Sequence, residues 1–260
     1  MTGRSAHPVL PPVLRGWLGT VAGLAGLSVA LLGILYAGGS EPGGVDRRIS
    51  SPEADGVGPP WRRLALALDF LGEPVGSVLL VAVLVAGCLL LRRPRAAVLT
   101  VAGAGAGVAV ATLLKHLVGR TIHGDGNLSY PSGHTTFATA LALAVALLAT
   151  GLLGLGRTAG MALVLGFALV AGAAMGWAQV ALGAHYPTDA LGGFFTALAV
   201  VPATGWLVDR AARRPEGGPD DRPDVSLDDR PDASLHGGPD DRPDASLHGG
   251  PDDMSGRTSG

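Results

Sequence analysis

Three polar clusters stand out in a sequence otherwise poor in charge: Lys115 with Arg120 five residues on, Pro131-Ser132-Gly133-His134, and His185-Tyr186-Pro187-Thr188-Asp189. Each has a definable chemical use. Lys115 and Arg120 supply fixed positive charge for an oxyanion; alternatively, they are cationic heads snorkelling from the end of an apolar helix. Pro131-Ser132-Gly133 follows a loop marked by Gly119, Gly124, Gly126 and Asn127. It opens a helix, where unpaired amides and the positive dipole end attract an anion. Ser132 also suits the N-cap of that helix, and the two roles are compatible. His185 and Asp189 lie four apart, so they share one face of a helix that Pro187 helps to start. A carboxylate one turn from an imidazole holds its tautomer and raises its nucleophilicity. His134 then offers a second imidazole for general-acid work.

The elements that must position these groups cross a membrane. A span of roughly 30 Å of hydrocarbon needs about 20 mostly apolar residues, and six segments qualify: 16–39, 74–91, 96–114, 135–156, one within 158–184, and 190–208. The second extends backward if residues 64–73 join it. The first is too long for a signal-peptide core and starts too late, so it reads as a retained helix. Two crossings separate the second polar cluster from the third, and the first cluster ends the span before them. All three therefore share one membrane face, where ionisable groups are costly and point to function. With the N-terminus inside, the cytoplasmic segments hold Arg4, Arg15, Arg92, Arg93, Arg95, Arg157, Arg210, Arg213 and Arg214. The other face holds Arg47, Arg48, Arg62, Arg63, Lys115 and Arg120. This bias places both termini in the cytoplasm and the clusters outside a cell membrane.

Composition supports the same reading. Charged residues make up 15% of the chain and apolar ones 48%, with mean hydropathy +0.38, against about 25% charged in soluble domains. A soluble enzyme is excluded. The net charge of -2 argues against a nucleic-acid partner. Cys88 is the single cysteine, so no intramolecular disulfide and no cysteine metal cluster can form. Gly103 and Gly107 read as a close-packing helix face rather than a phosphate loop. Of 21 acidic residues, 13 lie from Asp209 onward, where 220–227, 228–235 and 240–247 repeat one octapeptide. The expected organisation is an all-α, six-span bundle over 16–208, with its motif core at 115–189. It is preceded by a cytoplasmic segment 1–15 and followed by a disordered acidic tail 209–260, with His236 and His248 solvated.

Lys115-His116-Leu117-Val118-Gly119-Arg120, Pro131-Ser132-Gly133-His134 and His185-Tyr186-Pro187-Thr188-Asp189, in this order on successive spans, resemble the three-part signature of the type-2 phosphatidic acid phosphatase superfamily, the lipid phosphate phosphatases. The likeness covers roughly residues 64–208. It implies a six-helix bundle that hydrolyses a phosphomonoester or diphosphate with no metal or other cofactor. It also implies His185 as a nucleophile forming a phosphohistidine, Asp189 as its orienting partner and His134 as the acid for the leaving group. Lys115, Ser132 and the Gly133 amide would bind phosphate oxygens. Two departures stand out: Ile122-His123 occupies the place of an expected Arg-Pro pair, and Ala178-Gln179 that of Ser-Arg. Arg120 is near enough to substitute for the first lost arginine, and Gln179 keeps a donor without the charge.

The leading expectation is thus a membrane phosphatase acting on a lipid phosphate or polyprenyl diphosphate at the outer face. A degenerate member that binds such lipids without hydrolysis is the alternative. An intramembrane serine protease using Ser132 with His185 fits less well, because Ser132 lies between proline and glycine at a helix opening. His116 reads as interfacial, His123 and Asp125 as solvated or entrance-lining loop residues, and Tyr130 and Trp177 as interfacial or packing aromatics.

Overall fold

A computed structural model describes residues 8–50, 57–124 and 126–213, all within one compact unit. Asp125, the first seven residues and the octapeptide repeats with His236 and His248 lie outside the described residues. The helices are α1 (Arg15–Leu35), α2 (Gly44–Ser50), α3 (Pro59–Gly72), α4 (Pro74–Leu90), α5 (Pro94–Val118), α6 (Gly133–Leu153), α7 (Arg157–Ala181) and α8 (Pro187–Ala211), with a short 3-10 turn at Pro12–Leu14. No strand occurs among the described residues, so the class is all-α.

Five of these helices are long and apolar enough to cross a membrane, and α3 with α4, bent by 69°, makes a sixth if the pair is counted as one span. Prolines start α3, α4, α5 and α8, where a missing amide costs nothing. α6 lies at the centre, packed against α5, α7 and α8, and α1 lies along α8. The core is built from Leu18, Leu99, Leu143, Leu147, Val164 and Val201. Gly103 and Gly107 are buried; a Cβ on Gly107 would come 3.2 Å from Thr136 of α6. The small-residue face is therefore a helix–helix contact, as its spacing predicts.

One boundary differs from expectation and another is resolved. α8 continues past Val208, because Asp209 is 1% exposed and accepts the amides of Val9 and Leu10 at 2.7 and 3.1 Å. That carboxylate joins the start of the chain to the last helix, and Arg15 completes it at 3.2 Å. The expected second span, 74–91, corresponds to α4, and residues 64–72 belong to a separate helix, α3, set off by a bend at residue 73. At the bend the Phe70 carbonyl lies where a Cβ of residue 76 would stand, so only glycine fits at 76.

Candidate active site

The three polar clusters meet at one end of the bundle. α5 delivers Lys115 in its last turn, α6 begins at Gly133-His134, and α8 begins just after His185. The Ser132 amide donates to the Asp189 carbonyl at 3.0 Å, which ties the second cluster directly to the third. His134 lies within electrostatic reach of both His185 and Lys115. His134, His185 and Lys115 thus stand at the same end of the bundle.

Arg120 organises this end of the molecule from beneath. It is fully buried. One terminal nitrogen donates to Asp189 Oδ1 at 2.7 Å and Thr188 Oγ1 at 2.6 Å, and the other donates to Asp46 Oδ2 at 2.7 Å. The rings of Tyr36 and Tyr186 flank the guanidinium at 4.1 and 4.5 Å. Both terminal nitrogens are thus committed to carboxylates. The expectation that Arg120 substitutes as a phosphate ligand is corrected to a structural one: it pins the loop after α5 to α2 and α8. Asp46, which the sequence reading did not single out, is equally buried and also accepts the Thr188 amide at 3.0 Å. Burial pushes the Asp46 carboxyl up, but Arg120, Thr188 and the Gly43 amide outweigh it and hold the group below its ordinary value.

His185 stands 3.8 Å from Asp189 through Nδ1 and Oδ2, with no hydrogen bond on that nitrogen. Asp189 Oδ2 instead accepts the Tyr186 amide at 3.0 Å, closing a capping box at the start of α8. The pair has the expected face and order, at a separation that substrate-free sites commonly show before tightening. Burial raises the hydroxyl pKa of Tyr186. Lys115 Nζ donates to the Leu128 carbonyl at 2.9 Å, which leaves two of its three donors for a ligand. Ser132 is fully buried, and its Oγ accepts the Thr135 amide at 3.3 Å and the Thr135 hydroxyl at 3.1 Å. Its observed role is the N-cap; Gly133 beside it is partly exposed. The ring of His123 meets the Gly183 carbonyl at 2.7 Å and so joins the loop after α5 to the segment before His185. His116 is exposed. Tyr130 is a packing residue, fully buried with its hydroxyl donating to Val29 at 2.8 Å.

Residues 96–213 match the PAP2 superfamily. The matched stretch holds all three polar clusters. Its fold is similar to that of a transmembrane PAP2-type phosphatidylglycerolphosphate phosphatase from Bacillus subtilis, with a TM-score of 0.57 at 20% identity over 74% of this chain and 98% of that one. No curated protein matches the chain.

The surroundings of His134 come partly from residues ahead of the matched stretch. Its ring packs on Gly72, where a Cβ would fall on the imidazole carbons. Its Nε2 lies 3.5 Å from Asp69 Oδ1 and 3.6 Å from Glu73 Oε1. Gln179 is 1% exposed and its amide nitrogen donates to Asp69 Oδ1 at 2.8 Å. Gln179 thus spends a donor on Asp69, where the sequence reading expected a phosphate contact. Asp69 and Glu73 escaped that reading because they belong to a helix bend with no signature. The available signal was two carboxylates within the apolar stretch 64–91. Below His134 an apolar cavity of about 330 Å³ runs between α3, α4, α6 and α7, lined by Leu71, Leu84, Phe137, Leu141 and Met175 among others.

Proposed function

We propose that this protein is an integral-membrane phosphatase that removes phosphate from a lipid phosphate or isoprenoid diphosphate and needs no metal to do so. His185 attacks phosphorus through its free ring nitrogen, the bond to the leaving oxygen breaks, and His134 delivers a proton to that oxygen. Water then attacks the phosphohistidine, gives its proton to His134 and releases inorganic phosphate. Asp189 holds the His185 ring, while Lys115 and the Gly133 amide, at a helix opening capped by Ser132, neutralise the phosphate oxygens. The observation that carries this reading is that Lys115, His134 and His185, at or beside the ends of three helices, stand at one end of an apolar bundle. The cavity below His134 suits the hydrocarbon of such a substrate. The arginine bias supports an outward-facing site with both termini in the cytoplasm.

The test is phosphate release by the purified protein in micelles, with chelator present, across phosphatidate, phosphatidylglycerolphosphate and polyprenyl diphosphate. His185→Ala should abolish release; retention of full activity by that variant would overturn the assignment. A second reading, lipid-phosphate binding without hydrolysis, draws on the commitment of Arg120 and Gln179 to carboxylates. Binding of the same lipids with no phosphate released over long incubation would favour it.

A further inference from the structure

The cluster around His134 has a second use that the phosphatase reading does not require. Asp69 and Glu73 flank the bend between α3 and α4, four residues apart, and His134 opens α6 opposite them. One ligand-type atom from each of the three lies within 4.8 Å of the others. Four ligands at 2.0–2.2 Å around a tetrahedral zinc ion are separated from one another by about 3.3–3.6 Å. The two separations from His134 Nε2, 3.5 and 3.6 Å, match that edge. The remaining edge closes by rotation of Glu73, whose side chain is 52% exposed.

Two further observations point to a ligand. His134 Nε2 is shielded from solvent and has no hydrogen-bond partner, although it faces two carboxylates. Asp69 is also already oriented by the Gln179 amide at 2.8 Å, the outer-shell support that metal-binding carboxylates typically have. One imidazole and two carboxylates favour a borderline transition cation over calcium or magnesium, which prefer oxygen ligands alone.

We propose that Asp69, Glu73 and His134 form a three-ligand site for a zinc-class divalent cation, and that occupancy inhibits the protein. The cation accepts the Nε2 lone pair of His134, and any proton carried there passes to solvent. The general acid proposed above is then unable to protonate a leaving group. The binding half of this inference is independent of the phosphatase reading; only the inhibitory half rests on it.

The experiment is titration of the full-length protein in micelles with Zn²⁺ by calorimetry and with Co²⁺ by visible absorption, comparing wild type with Glu73→Gln and Asp69→Asn. One ion per chain and a Co²⁺ ligand-field band are expected, with affinity at least tenfold weaker in each variant. Glu73 is half exposed at a helix bend, so its amide variant is expected to keep the fold, and circular dichroism checks this. Equal Zn²⁺ affinity in wild type and in a folded Glu73→Gln protein would overturn the site. Zn²⁺ should also suppress phosphate release by wild type, reversibly with chelator and at least tenfold less potently in Glu73→Gln. Tight binding without suppression would overturn the inhibitory half. A protein that binds Zn²⁺ at these residues but releases no phosphate without metal would refute the phosphatase reading and leave the site standing.

Discussion

Replacing Arg120 with methionine separates two roles for the only fully buried arginine among the described residues. As a support, its loss leaves the carboxylates of Asp46 and Asp189 facing each other in the space the guanidinium occupied, both fully buried. Removing one partner of a buried ion pair typically costs about 3–5 kcal/mol, because the remaining charge is uncompensated. Loss of the contacts to Tyr36 and Tyr186 adds roughly 0.5–2 kcal/mol. As a phosphate ligand, Arg120 would instead contribute about 1.5–3 kcal/mol to substrate or transition-state binding and little to folding. Denaturant unfolding in micelles, followed by the fluorescence of the four tryptophans, distinguishes these outcomes. Arg120→Met should lose several kcal/mol, and adding Asp46→Asn should restore part of it, because one of the stranded charges is then removed. The two substitutions should be strongly non-additive, as expected of direct partners. Wild-type unfolding by Arg120→Met, together with a tenfold or greater fall in kcat/KM, would refute the structural role and return the residue to the substrate.

Three other outcomes follow from the same geometry. Asp46 is held below its ordinary value of 3.8 in the folded protein, so its contribution is fully present above that pH and fades as pH falls through the folded value. Stability measured against pH should therefore drop on the acid side below about 4, and Asp46→Asn should flatten that limb; an unchanged acid limb would be evidence against the pairing. Gly72→Ala places a methyl on the His134 ring and should cut phosphate release by at least tenfold, while overpacking costs about 1–3 kcal/mol of stability. Full activity in that variant would show that the ring has room to move. Lys115→Ala should lower kcat/KM by about tenfold to a hundredfold through loss of a charge-assisted contact; an effect confined to unfolding would assign it to the Leu128 carbonyl alone.

Much of the fold was legible because a bilayer imposes simple rules. Length and apolarity fixed the spans, and counting crossings between polar clusters put Lys115, His134 and His185 on one face without coordinates. The α3–α4 bend was harder to see, since the span 74–91 also reads as extensible backward through residues 64–73. Its cause is local and steric: Glu73, directly before Pro74, takes an extended conformation, and Gly76 admits the Phe70 carbonyl at the bend.

From the sequence come the three polar clusters and the expectation that they share one membrane face, because those depend on residue type, helical period and span parity. Only the tertiary structure decides which partners the charges choose. Arg120 and Gln179 look like phosphate ligands when judged by distance along the chain. In space Asp46 reaches Arg120 across 74 residues and Asp69 reaches Gln179 across 110. In an apolar interior a buried charge or amide takes whichever complementary group is nearest, since leaving it unpaired costs more than any local preference supplies.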